Sequence, residues 1–202
     1  MATTRDEYTT IGSAGRAETK VQASRFLARA LHVRDRAAVE ETLDAIRKEH
    51  HDATHHCYAY RLGVDGNDFR MHDGGEPSGS AGKPILAAID REELSDVLVV
   101  VTRYFGGTKL GVGGLMKAYG AAAAKALGSV PQVKLFALDE MTVTFPHECV
   151  GAVMHVCSAT GANIAGTHYD GEVHLRVEIR KSRADALRAA LLDATRGVVT
   201  FE

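Results

Sequence analysis

Apolar and polar positions along this chain repeat with periods that predict most of its elements. From Arg36 to His50, Val39, Leu43 and Ile46 recur at i, i+4 and i+7, the spacing of one helix face, and Asp35 stands where an N-cap belongs. His56, Tyr58, Tyr60 and Leu62 alternate with Cys57, Ala59 and Arg61, which reads as a strand. A turn at Asp65–Gly66 leads to a short strand around Phe69–His72. Pro84 suits the first helical position, with Ile85–Ile89 continuing the helix. Val97–Phe105 predicts a buried strand, and Leu115–Leu127 a helix whose alanines permit close packing on a sheet. Lys20–Val33 has strand character broken by polar residues, while residues 1–16 read as a loose leader.

Periodicity lapses over Gly128–Leu138, which contains Pro131, and the domain boundary is expected there. Beyond it the order is clear. Met141–Phe145 is a strand and Glu148–Thr160 a helix. Ala162–Tyr169 and Glu172–Arg180 form a hairpin through Asp170–Gly171, the dipeptide favoured in type I′ turns. Arg183–Thr195 is a helix with Leu187, Leu191 and Ala194 in register, and Val198–Phe201 a closing strand. That βαββαβ order is the ferredoxin-like pattern. The prediction is an α+β chain of two domains, 17–130 and 139–202.

Composition narrows the function classes. The 202 residues are 45% hydrophobic and 25% charged, with a formal charge of −2, so any nucleic-acid contact must be local rather than a basic coat. Cys57, Cys149 and Cys157 form no CxxC and imply no disulfide framework, which fits a reducing cytoplasm. The first residues lack the apolar core of a signal peptide. The longest apolar run, Val97–Val101, is too short to cross a bilayer, so no membrane association is expected.

The densest chemistry lies in RYFGGTKLGVGGLMKAYG, residues 103–120. Gly106, Gly107, Gly111, Gly113 and Gly114 can expose backbone N–H groups to an anion, with a helix N-terminus behind them. Arg103, Lys109 and Lys117 supply charge, and Tyr104 and Tyr119 offer faces on which bases could stack. The alternative is that the glycines only permit a tight strand-to-helix connection. Neither GxxxxGK[ST] nor GxGxxG occurs, so no nucleotide pocket of those types and no cofactor is called for. A second loop, DGGEPSGSAGK (73–83), offers Ser78, Ser80 and Lys83 to a phosphate. Its Asp73 and Glu76 are candidates for an acid, a base or a metal ligand, or are simply parts of a packed loop with serines capping the next helix. His50, His51, His55, His56 and His72 cluster in sequence, but adjacent strand residues such as His55 and His56 point apart. No metal site or catalytic nucleophile is assigned.

HHCYAYRLG (55–63), DGGEPSGSAGKPIL (73–86) and VVVTRYFGGTKLGVGGLMKAYGAA (99–122), in that order, resemble the IMPACT/YigZ family over roughly residues 15–130. The resemblance implies a first domain similar to the second domain of small-subunit ribosomal protein five. It implies a second, ferredoxin-like domain similar to the last domain of elongation factor G. The analogy of those two folds suggests RNA or ribosome contact, and the leading expectation is a cytoplasmic RNA- or ribosome-associated regulator of translation, with Lys83 and the 76–82 loop forming the wall opposite the glycine loop. Eukaryotic members regulate translation through a partner-binding domain that this sequence lacks. The competing readings are an enzyme or sensor for a small phosphorylated metabolite or nucleotide, and an adaptor whose loops dock a protein partner.

Overall fold

The computed structural model describes residues 6–202. The chain divides into two compact units, one spanning Tyr8–Leu135 and the other Phe136–Glu202 together with Asp6 and Glu7. Among the described residues no helix is long and apolar enough to cross a membrane.

Apart from the end residues Glu7 and Phe136, the first unit contains β1 (Glu7–Ile11), β2 (Gly15–Val21), β3 (Ser24–His32), α1 (Arg36–Glu49), β4 (His55–Leu62), β5 (Asp68–His72), α2 (Gly82–Arg91), β6 (Val97–Tyr104), α3 (Gly111–Leu127) and β7 (Gln132–Phe136). Five strands form one sheet in the order β2-β3-β6-β4-β5, with every neighbouring pair antiparallel. Its central strand β6 is buried on both faces, which explains why its sequence is a continuous apolar run rather than an alternation. Val97, Val99 and Val101 pack with α2 and α3, while Leu98 and Val100 pack with α1.

The helices follow from their patterns. Val39, Leu43 and Ile46 are the buried face of α1, and the Asp35 carboxylate accepts the Ala38 N–H at 2.8 Å. In α3, Ala118, Ala122, Ala123 and Ala126 are all buried against the sheet, as close helix–sheet packing requires. Two helix starts differ from expectation. α2 begins at Gly82, so Pro84 is its third residue rather than its first. α3 begins at Gly111, four residues before Leu115, because glycine-rich sequence conceals the first turn from any apolar periodicity.

The expected leader is also corrected over its described part. Residues 7–11 form β1, which pairs with β7, and Gly15 opens β2. Polar threonines hold β1 in place through the backbone, the Ser95 N–H donating to the Thr9 carbonyl at 2.9 Å. Residues 1–5 of that leader lie outside the described residues.

The second unit holds β8 (Leu138–Phe145), α4 (Val150–Thr160), β9 (Asn163–Tyr169), β10 (Val173–Arg180), α5 (Ala184–Ala194) and β11 (Thr200–Phe201). Its sheet order, β11-β8-β10-β9, is that of a ferredoxin-like domain. Met141, Val143, Phe145, Leu187 and Leu191 are in its core. The β9–β10 connection runs over three residues, 170–172, with positive φ at Gly171 alone, so it is not the two-residue type I′ turn.

Asp35→Ala removes the cap of α1 and should cost about 1 kcal/mol. Urea denaturation of the two proteins measures it.

Candidate anion-binding cleft

β6 fixes the geometry of the site. Arg103 is on the face toward α2 and α3, and Tyr104, one residue on, is on the face toward α1. Arg103 is only 4% exposed. Its Nη1 donates to Glu76 Oε1 at 2.6 Å and its Nη2 to Ser24 Oγ at 3.1 Å. The guanidinium lies over the rings of Phe26 and Phe105, at 5.4 and 5.2 Å from their centroids. Tyr119, fully buried on α3, donates its hydroxyl to the same Glu76 oxygen at 2.7 Å. Burial first, then Cys57 and Glu76, raise the Tyr119 pKa, so this hydroxyl remains a donor. His55 Nε2 stands 3.8 Å from Glu76 and its Nδ1 is 2.9 Å from the Gly74 carbonyl.

Asp73 organises the rest of the loop. Its carboxylate accepts the N–H groups of Gly79, Ala81 and Gly82 at 2.8, 2.9 and 2.8 Å. It thus caps α2, whose N-cap residue Ala81 has no side chain able to do so. Burial alone would raise the Asp73 pKa, but these backbone hydrogen bonds prevail and hold it below the usual carboxylate value. The Cys57 thiol donates to the Asp73 carbonyl, and burial pushes its pKa up to about 12. That makes it an inert core group rather than a nucleophile.

Between the pinned loop and the start of α3 opens a cleft of about 350 Å³. Glu76 and Pro77 form one wall, Lys109, Gly111 and Val112 the other, and Arg103 and Phe105 the base. The first turn of α3 has no side-chain cap and no acidic residue to satisfy or offset its free N–H groups.

The glycines divide by cause. A Cβ on Gly106 would come within 2.0 Å of the Ala23 carbonyl, and Gly107 and Gly111 have positive φ, so these three are required by the chain path. Gly113 is exposed and helical, with nothing within 4 Å of the place a Cβ would take, and Gly114 meets only the Leu110 side chain. The bare surface at 113 has no packing cause.

Several candidate residues have other roles or lie on other surfaces. Arg103 and Tyr119 are core braces rather than exposed contacts, because each is consumed by Glu76. Tyr104 is on the wrong face of the sheet, its hydroxyl held by Asp52 and His50. Ser80 is fully buried and donates to the Pro77 carbonyl, so it caps its own loop. Asp73 is a helix cap rather than an acid, base or metal ligand. Ser78 is exposed but does not line the cleft. Lys83 and Lys117 line a separate groove between α2 and α3. His56 is on the α1 face, 3.3 Å from Thr102 Oγ1, with its pKa lowered chiefly by burial. Ser24 was not foreseen, since nothing in sequence links it to Arg103, 79 positions away. Val112, 52% exposed among glycines, was the available signal for the far wall.

Two sequence families match the chain. One, described as Impact N-terminal domain, covers residues 22–127, and another, a domain of unknown function (DUF1949), covers residues 143–198. The chain is 31% identical over 190 residues to IMPACT family member YvyE of Bacillus subtilis, covering 94% of this chain and 88% of that protein. It is 32% identical over 180 residues to IMPACT family member YigZ of Escherichia coli, covering 88% of each. A crystal structure of a hypothetical protein superposes with a TM-score of 0.75 at 29% identity, over 97% of this chain and 96% of the other.

Glu76→Ala leaves Arg103 buried without its counter-charge and should destabilise the first unit by about 3–5 kcal/mol, against about 1 kcal/mol for Tyr119→Phe. Comparable losses in urea denaturation would refute the special place of the pair. Because the native Asp73 pKa is depressed, its stabilisation is complete above the unfolded value of about 3.9 and is lost as pH falls through the lower native value. Asp73→Asn should therefore flatten the fall in stability below about pH 4, as read by thermal melts across pH.

Proposed function

The chain belongs to the IMPACT family, and from that premise we propose that it is a cytoplasmic, RNA- or ribosome-associated regulator of translation that holds a backbone phosphate in the cleft at the start of α3. The observation that carries this reading is the first turn of α3: uncapped, free of acid, preceded by exposed Lys109 and bare at Gly113. Glycine in a helix is less stable than alanine by about 0.5–1 kcal/mol, so a helical glycine without a steric cause suits a surface that another backbone approaches. Phe105, 45% exposed beside the cleft, adds a ring face for a base. The charge of −2 is compatible because the positive field is needed only locally.

A second reading, a sensor of a small phosphorylated metabolite, is favoured by the cleft volume of about 350 Å³, which lies in the small-ligand range. Chemistry on such a ligand finds little support, since Asp73 and Glu76 are both occupied by structural hydrogen bonds.

The test is cosedimentation with ribosomes from the protein's own cell, at low and high salt and with and without RNase. Salt-sensitive pelleting is expected, with Lys109→Ala lowering the slope of log affinity against log salt by about one contact. A protein that stays in the supernatant at low salt overturns the RNA reading and directs work to phosphorylated metabolites. Gly113→Ala should raise stability by about 0.5–1 kcal/mol while weakening RNA binding. Unchanged binding with the added stability would remove the exposed first turn of α3 at Gly113 from the interface.

A further inference from the structure

α2 and α3 pack side by side on the sheet, and a groove of about 500 Å³ runs between their outer faces. Its floor is aliphatic and shallow: Pro84 and Ala87 from α2, Ala121 and Ala124 from α3. Met116 stands at its edge, 39% exposed. Side chains this small let the backbone of another helix approach closely.

The rim has one sign of charge. Lys83, Arg91 and Lys117 line it, with no acidic side chain among the lining residues. Elsewhere in this unit several arginines are matched, among them Arg25 with Glu18, Arg36 with Asp68, Arg47 with Asp44 and Arg61 with Asp90. Arg61 takes the one carboxylate that α2 contributes, so Arg91 beside it is left without an ion pair among the described residues. Three cations around an apolar trough with no acidic side chain in its lining give the groove a single sign of charge in a chain of net charge −2.

We propose that this groove docks an acidic amphipathic helix of a partner protein, its apolar face over Ala87, Ala121 and Met116 and its carboxylates on Lys83, Arg91 and Lys117. Lys83 and Arg91 are eight positions apart on one helix, about 12 Å at 1.5 Å per residue, so carboxylates about two turns apart on the partner meet both. A helix fits better than RNA because the floor has no aromatic plane on which bases could stack. The proposal does not depend on the cleft at the α3 N-terminus, whose lining shares no residue with this groove.

The experiment titrates three probes into the isotope-labelled full chain and follows amide resonances by NMR. The first is a synthetic helical peptide with leucines at i, i+4 and i+7 and glutamates on both flanks. The second replaces the glutamates by lysines, and the third is an oligouridylate. Saturable shifts confined to α2 and α3 with the glutamate peptide alone are expected. The double variant K83E/K117E, altered at two exposed positions, should weaken that peptide about tenfold and strengthen the lysine peptide. Ala121→Arg, which fills the trough, should abolish the shifts while the thermal midpoint stays unchanged. Equal binding of both peptides, no saturable shift, or saturation of the groove by oligouridylate would each overturn the proposal.

Discussion

The first unit is organised around one buried ion pair, Arg103 with Glu76, each side chain 4% exposed. Burying two charges is favourable only where their remaining hydrogen-bonding capacity is met. Here Ser24 takes the second guanidinium nitrogen, Tyr119 reinforces the carboxylate, and the cation lies against the rings of Phe26 and Phe105, while the buried Arg103 Nε is left without a hydrogen-bond partner. The pair ties the 73–83 loop to the central strand and, through Tyr119, to α3. A glycine- and serine-rich segment that by composition could be a linker is thereby given one shape. Asp73 completes the effect from the other end, spending a carboxylate on three backbone N–H groups that would otherwise be unsatisfied beside α2. The cleft exists because this loop cannot collapse into it.

How much of this was legible depended on whether the signal was local. α1 was readable because its cap and its apolar stripe are adjacent in sequence, and the ferredoxin-like order of the second unit because its strands and helices alternate cleanly. β1 was not, since its stability comes from pairing with β7 across more than a hundred residues and its side chains carry no pattern. The first turn of α3 was hidden by its own glycines. The roles of the candidate residues were hidden for a related reason. Arg103 and Tyr104 are adjacent in a strand, and only the sheet's packing on both sides decides which of them meets α3 and which meets α1. For Asp73 the sequence left an acid, base or metal ligand open beside a part in a packed loop, because the backbone donors it serves have no residue type.

The lysines of the glycine-rich segment do not act as one group. Lys109 precedes the first turn of α3 and belongs to the cleft, whereas Lys117 is six residues into the helix and faces α2 across the groove, with Lys83 on the far side. The same stretch of sequence therefore supplies two surfaces of different chemistry. One is a small recess with helix N–H groups and an aromatic edge. The other is an aliphatic trough with a cationic rim. Three of the glycines serve the path of the chain between strand and helix, and that path is what separates the surfaces.

Gly113 stands apart from those three. At Gly106 an added Cβ would strike the Ala23 carbonyl, and at Gly107 and Gly111 it would strain the backbone, so selection for folding alone accounts for them. At Gly113 an added Cβ would meet nothing, the conformation is one alanine prefers, and folding alone favours the larger residue. A position that forgoes stability while facing solvent at an uncapped helix start is best explained by what has to come near it. The N–H groups of a helix terminus are approachable along its axis, and a methyl group in the first turn narrows that approach. Stability is forgone at the same place where the electrostatics favour an anion, and this coincidence at Gly113, not the glycine content of the segment, is what supports the proposed anion site.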